Sequence, residues 1–229
     1  MNRLFDKQLI KLRTRLIKMC SIVDEQVDLA VKVVEDADTG LAALIVKRDE
    51  KVDEYDIKID KICQKILALN QPIAMDLRLI MSALTINTNL ERIGDIAVNI
   101  AENFMLIGKR PEFFNRIKFS SMAVIVRDML KNAIDSFIEN DAGLAKRVIY
   151  TDDRLDKLNV ENHKIIIDIM KENKDYIEDA VAMLVICRQL ERIGDHATNI
   201  AEDVYFIVEA EMVKHNYEKL IMKDDDDDE

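Results

Sequence analysis

One segment of this chain is written twice: NLERIGDIAVNIAEN at residues 89–103 and QLERIGDHATNIAED at 189–203 are identical at eleven of fifteen positions. A long internal repeat constrains the fold more than composition does, because each copy must be a unit that packs in the same way. The repeat reaches well upstream. DTGLAALIVKRDEKVDEYDIKID (38–60) aligns with DAGLAKRVIYTDDRLDKLNVENH (141–163) at an offset of 103, against 100 for the motif, so one half has lost three residues in a connection. Further back, Val27, Ala30, Val31 and Val34 correspond to Leu130, Ala133, Ile134 and Phe137, apolar in both copies at helical spacing. Duplication is the simplest account.

With 5 Gly and 2 Pro in 229 residues the chain has few places to turn, and its Leu, Ile, Ala, Lys, Glu and Asp favour helix. Breakers divide each half into three helices. Asp38-Thr39-Gly40 and Asp141-Ala142-Gly143 end a first helix and offer a cap to the next, Asn70-Gln71-Pro72 and residues 171–175 end the second, and Gly108 to Pro111 separates the halves. The pattern predicts helices at about 4–36, 40–69, 74–107, 116–139, 143–171 and 176–214. Short connections then give an all-α fold of two tandem, pseudo-symmetric three-helix bundles, residues 1–110 and 111–222, with an acidic tail at 223–229 too poor in apolar residues to order. PEFF at 111–114 is expected to close the bundles on each other through Phe113 and Phe114, a docking aromatic being the alternative.

Net charge is −11, and the terminal DDDDDE supplies six of it, leaving about −5 on the body. An acidic body argues against nucleic-acid binding, which rests on neutralising phosphates. Cys20, Cys63 and Cys187 form no CxxC pair and each falls in an apolar helical pattern, as expected of reduced, packed thiols in a cytoplasmic protein. The N-terminus is interrupted by charge too often for a signal peptide, and no apolar run approaches the roughly 20 residues a span requires. Any link with a membrane is therefore expected to pass through a partner. Lys7, Lys11, Arg15 and Lys18 read as a solvated flank.

The acids carry the functional signal. With residue 91 at zero, Glu91, Glu102, Asp95 and Asn99 lie at about 0°, 20°, 40° and 80° on a helical projection, opposite Leu90, Ile93, Ala97, Ile100 and Phe104. Glu191, Glu202, Asp195 and Asn199 repeat the stripe. The preceding helix of each half has its own: Asp49, Asp53, Asp56 and Asp60, then Asp152, Asp156, Asn159 and His163. A solvated face usually carries Lys or Arg three or four residues from its acids. None of Asp49, Asp53, Asp56, Asp60, Asp152, Asp156 or Glu91 has one, so repulsion is left standing in both halves. Arg92, Arg192 and Arg188 could neutralise Asp95, Asp195 and Glu191 respectively. Gly94 and Gly194, each costly inside a helix, admit either close helix packing or a direct role at the site. Unpaired carboxylates on adjacent helices favour a metal site over a plain polar face.

The doubled LERIGD-x-A-x-NIAE, the QPIAMDLRLIMSAL approach to its first copy and the EAEMVKH ending resemble the PhoU phosphate-signalling regulators over residues 4–215. That resemblance implies two three-helix bundles whose E/D-x-x-x-D motifs bind polynuclear metal clusters, iron in some members and other ions elsewhere. Carried over residue by residue, it marks Glu91 and Asp95, Glu191 and Asp195, and the partner-helix acids Asp49, Asp53, Asp152 and Asp156 as ligands. Helical phase alone adds Asp60, His163, Glu102, Glu202 and Asp203 as weaker candidates, while His196 points away from Glu191 towards a flanking or interhelical role. Divalent or trivalent ions are implied, iron and manganese first, magnesium or zinc as alternatives.

The resemblance further implies a regulator that represses the phosphate-starvation response by contacting a sensor histidine kinase and the ATPase subunit of a phosphate transporter. It leaves a homodimer open. Two other readings stand beside it. A carboxylate-bridged metalloenzyme lacks its marks here, since no His follows a Glu by three and no phosphate loop or nucleophile elbow is present. A helical adaptor without metal is the other.

Overall fold

The computed structural model describes residues 3–214. Six long helices make up the chain: α1 (Arg3–Glu35), α2 (Ala42–Leu69), α3 (Ala74–Ile107), α4 (Phe119–Glu139), α5 (Ala142–Glu172) and α6 (Ile177–Glu209). Short 3-10 turns lie at Thr39–Leu41, Phe114–Arg116 and Lys174–Tyr176, and no strand occurs among the described residues.

The breakers act where the sequence places them. The Asp141 carboxylate accepts from the amides of Gly143 and Leu144 at 2.8 and 3.0 Å, satisfying two donors that the first turn of α5 would otherwise orphan. Asp38 does the same for Gly40 at 3.0 Å. Gly108 closes α3 with φ 69, a left-handed conformation that costs a residue without Cβ nothing. Two boundaries differ from expectation by three residues or more. The fourth helix begins at Phe119 after a separate 3-10 turn, not at 116. The last ends at Glu209 rather than 214, because Ala210 turns left-handed at φ 59 and the chain folds back to bury Val213. The tail expected at 223–229 lies outside the described residues.

Helices α1 to α3 pack on one another, as do α4 to α6, and each triad buries the apolar faces the repeat predicts. The two triads then meet along an extensive α3–α6 seam and a smaller α1–α4 contact. Buried side chains form one contiguous core across both. Polar groups set the register at the joints. Arg13 of α1 donates to the Phe137 and Ile138 carbonyls at 3.1 and 2.8 Å, capping α4, while Arg127 of α4 meets Asp28 at 2.8 Å. Across the main seam His196 Nδ1 lies 2.9 Å from Asn89 Oδ1, so of the two roles its phase left open, flanking or interhelical, it takes the second.

The linker aromatics do not close the bundles on each other. Phe113 is buried against Tyr176 (centroids 5.5 Å apart) and Phe114 against Phe119 (5.7 Å), both partners in the second half. Glu112 accepts from the Tyr176 hydroxyl and Arg116 forms a two-pronged pair with Glu172. The linker thus caps the end of the second bundle, whose apolar residues lie nearest in sequence. Cys20, Cys63 and Cys187 are buried, each thiol pushed up to about 12, chiefly by loss of water.

Candidate metal centres

Close helix approach makes the acid clusters possible. A Cβ built on Gly194 would sit 2.3 Å from Leu155 Cδ2, and one on Gly94 would sit 3.0 Å from Asp49 Oδ1 and 3.3 Å from Val52 Cγ1. Val52 and Leu155 are equivalent under the repeat, so each glycine admits the same point of the neighbouring helix. The glycines in both motifs serve packing. In consequence the acids of α2 come up to those of α3, and the acids of α5 to those of α6.

In the second half one carboxylate oxygen each of Asp156, Glu191 and Asp195 lies within 4.8 Å of the others, the one such carboxylate group among the described residues. Glu191 is buried, and its Oε2 has no hydrogen-bond partner while Arg188 takes the other oxygen. Burial first, then the charges of Asp195, Asp156 and Asp152 working against Arg188, push the Glu191 carboxyl up to about 7. Asp152 stands behind the trio. Burial and then Asp195 and Asp156 push it up to about 6, with Thr198 opposing. Arg192, a possible counter-ion for Asp195 by sequence, donates its hydrogen bond to Gln189 at 3.2 Å and acts on Asp195 through its charge alone: burial and then Asp156 raise that carboxyl, with Arg188 and Arg192 opposing.

The first half is arranged differently. Burial raises Asp49, with Asp53 and Asp95 adding to it, and burial raises Glu91, with Asp95, Asp56 and Asp53 adding to it, so these acids share one field. Glu91 is not free of cations, contrary to its spacing: the adjacent Arg92 reaches it at 3.4 Å and Asp95 at 3.5 Å. Gln26 of α1, fully buried, donates to Asp49 Oδ1 at 3.0 Å. The α2 stripe is divided, for Asn87 donates to Asp56 at 2.7 Å and to Asp60 at 3.2 Å and draws that pair towards itself.

The weaker candidates scatter. Asp60 belongs to the Asn87 arrangement, His163 is exposed beside Arg188 and Arg192, and Glu102 is exposed. Glu202 is buried, and Asp203, pushed up to about 6 chiefly by burial, faces Thr85 and Lys214 at the seam. None joins the converging trio. Sequence reasoning missed Gln26, Asn87 and Thr198. Gln26 had a signal, a polar residue inside the apolar run Leu16, Met19, Val23, Val27 and Ala30.

The family model described as the PhoU domain matches this chain twice, at residues 16–104 and 119–204. The chain belongs to the PhoU family. Both acid clusters fall inside the matched segments. Among relatives, the phosphate-specific transport system accessory protein PhoU homolog of Aquifex aeolicus is 35% identical over 213 residues, covering 93% of this chain and 96% of the relative. The crystal structure of PhoU from Pseudomonas aeruginosa superposes with a TM-score of 0.87 at 34% identity, covering 90% of this chain and all of that one. The phosphate transport system regulatory protein PhoU from Streptococcus pneumoniae gives 0.82 at 26% identity, covering 91% and 99%. The PhoU fold of two tandem three-helix bundles is therefore the fold of this chain.

Proposed function

We propose that this PhoU-family chain is a metal-binding accessory protein of phosphate-specific transport. It acts in the cytoplasm as an adaptor between the ATPase of a phosphate transporter and a sensor histidine kinase. The regulatory half of this reading is supported by the relatives, named as accessory and regulatory proteins of phosphate transport. No helix among the described residues is long and apolar enough to cross a membrane, in keeping with action through partners.

The metal half is carried by one observation, the convergence of Asp156, Glu191 and Asp195 around a buried, unpartnered Glu191 oxygen. Three carboxylates with a spare buried acceptor fit a hard or borderline cation, iron or manganese before magnesium or zinc. Asp156, Glu191 and Asp195 would hold it with Asp152 behind them, and Asp49, Asp53, Glu91 and Asp95 would form the first-half counterpart. Bound cation supplies the positive charge that relieves their repulsion.

Metal analysis of protein purified without an affinity tag tests the metal reading; a metal content of zero that added iron or manganese does not raise leaves a metal-independent adaptor. Co-purification from phosphate-replete cells tests the regulatory reading. Recovery of neither a kinase nor a transporter subunit, with starvation genes still repressed after deletion of the gene, places the protein in another pathway.

A further inference from the structure

The two halves differ on the face beside the second cluster. A groove of about 530 Å³ between α5 and α6 has Val160, Leu184 and Val185 along it, with Arg188, Arg192 and His163 at its edge. At the equivalent positions of the first half stand Ile57, Leu84 and Thr85, then Thr88, Arg92 and Asp60. The apolar floor is largely kept by the repeat, whereas an acid and a hydroxyl have been exchanged for an imidazole and a guanidinium. On a body of net negative charge this is a surface built for an acidic occupant with a short apolar stretch. Arg188 also holds Glu191 and Arg192 also holds Gln189, but a guanidinium has five N–H donors and one contact leaves several.

The chain contains such an occupant. Residues 215–229, outside the described part, read HNYEKLIMKDDDDDE, an apolar triplet Leu220-Ile221-Met222 followed by six consecutive acids. The described chain also leads towards the groove. After α6 it doubles back until Lys214 lies close enough to Asp203 to act on its carboxyl. Asp203 and Arg192 are eleven residues apart on α6, about 17 Å along it and about 20° apart in projection. From Lys214 to Asp224 the chain can span at most about 35 Å. Two guanidiniums stand near the path, for His196, which lies between, has its pKa lowered first by burial and then by the charges of Arg192 and Arg92.

We propose that the C-terminal segment of this chain docks intramolecularly in the α5–α6 groove, Leu220 to Met222 on Val160, Leu184 and Val185 and the acids on Arg188 and Arg192. This contact requires neither bound metal nor phosphate regulation, although it shares Arg188 with Glu191. It gives the second half a covered face where the first half has none, and an acidic partner segment would have to displace the tail to bind there.

The test is thiol reactivity. Val160 and its repeat counterpart Ile57 are similarly exposed, 55% and 52%, and the native cysteines are buried and protonated, so Val160→Cys and Ile57→Cys each report one groove. In the full chain Val160→Cys should react with a maleimide roughly three- to fivefold more slowly than in a chain ending at Lys223, the protection expected of a weak contact at millimolar effective concentration. Arg188→Gln with Arg192→Gln, or 1 M salt, should abolish the protection, and Ile57→Cys should react alike in both chain lengths. Equal Val160→Cys rates in the two lengths would overturn the proposal. So would an equal change at Ile57→Cys, or protection that grows with protein concentration, which would make the occupant a second copy.

Discussion

At Glu191 three influences meet: burial, three neighbouring carboxylates and one guanidinium, with the first two prevailing. A native carboxyl at about 7, against the ordinary 4.5, holds its proton through a range where the unfolded chain has released it. The native state then binds more protons between those values, so the stability of metal-free protein falls as pH rises from about 4.5 to 7 and levels off above. Asp152 at about 6 acts in the same direction over a lower window. Thermal melts of chelator-treated protein should therefore show a higher Tm near pH 5 than near pH 8. Glu191→Gln should flatten that slope by on the order of 1 kcal/mol, after allowing for screening. A slope unchanged by the substitution would move its cause elsewhere. Removing charge from the proposed ligands gives a second prediction. Asp152→Asn with Asp156→Asn should abolish second-half metal and raise the Tm of the metal-free protein slightly, while Asp49→Asn with Asp53→Asn should do so for the first half. The two effects should be nearly additive, since the sites lie on separate helix pairs. Metal content unchanged in both pairs, measured by elemental analysis, would sink the ligand assignment.

At the scale of helices, Gly94 and Gly194 hold the same place with unequal clearance. At Gly194 an added methyl meets Leu155 at 2.3 Å, and Leu155 is fully buried in a packed core, so Gly194→Ala should cost about 1 to 3 kcal/mol of overpacking. That outweighs the roughly 1 kcal/mol that Ala gains over Gly in a helix. At Gly94 the contacts are 3.0 Å to a carboxylate oxygen and 3.3 Å to Val52, so Gly94→Ala should come out near zero in stability. It should show itself by displacing Asp49 and weakening first-half metal binding. Urea unfolding with parallel metal titration separates these outcomes, and equal destabilisation by both substitutions would refute the difference in clearance. The halves also exchange their buried amides: Asn87 in the first stands where the second has Cys187, and Asn162 in the second stands where the first has Ile59. Asn162 accepts from the Lys118 amide at 2.7 Å and so fixes the start of α4, whereas Asn87 is spent on Asp56 and Asp60.

Across the whole molecule, the α3–α6 seam decides whether two bundles behave as one body. Its core is continuous with both triads, and Arg13 and Arg127 tie α1 to α4 at the far side. Calorimetry should accordingly give a single transition with equal van't Hoff and calorimetric enthalpies. Two resolved transitions would mean that the seam is weaker than the packing within each half. Since α3 and α6 carry both the seam and one wall of each acid cluster, metal bound at either proposed site would bias the seam, and metal-loaded protein should melt higher without splitting its transition.

The sequence by itself determined what depends on near neighbours along the chain. Helix ends follow from Asp141, Asn70 and Gly108, the apolar faces follow from spacing, and the duplication follows from two copies of one motif, because capping and periodicity are short-range effects. Which acids share a face was legible for the same reason. Only the tertiary structure decided which of them meet: Asp156, Glu191 and Asp195 converge while Arg92 bridges Glu91 and Asp95, and Asn87 takes Asp56 and Asp60 out of their stripe. It also set Gln26 against Asp49, His196 against Asn89 and Phe113 against Tyr176. These are meetings between helices far apart in sequence, fixed by how closely Gly94 and Gly194 let the backbones approach and by which side chains fill the space between, and periodicity along one helix carries no record of either.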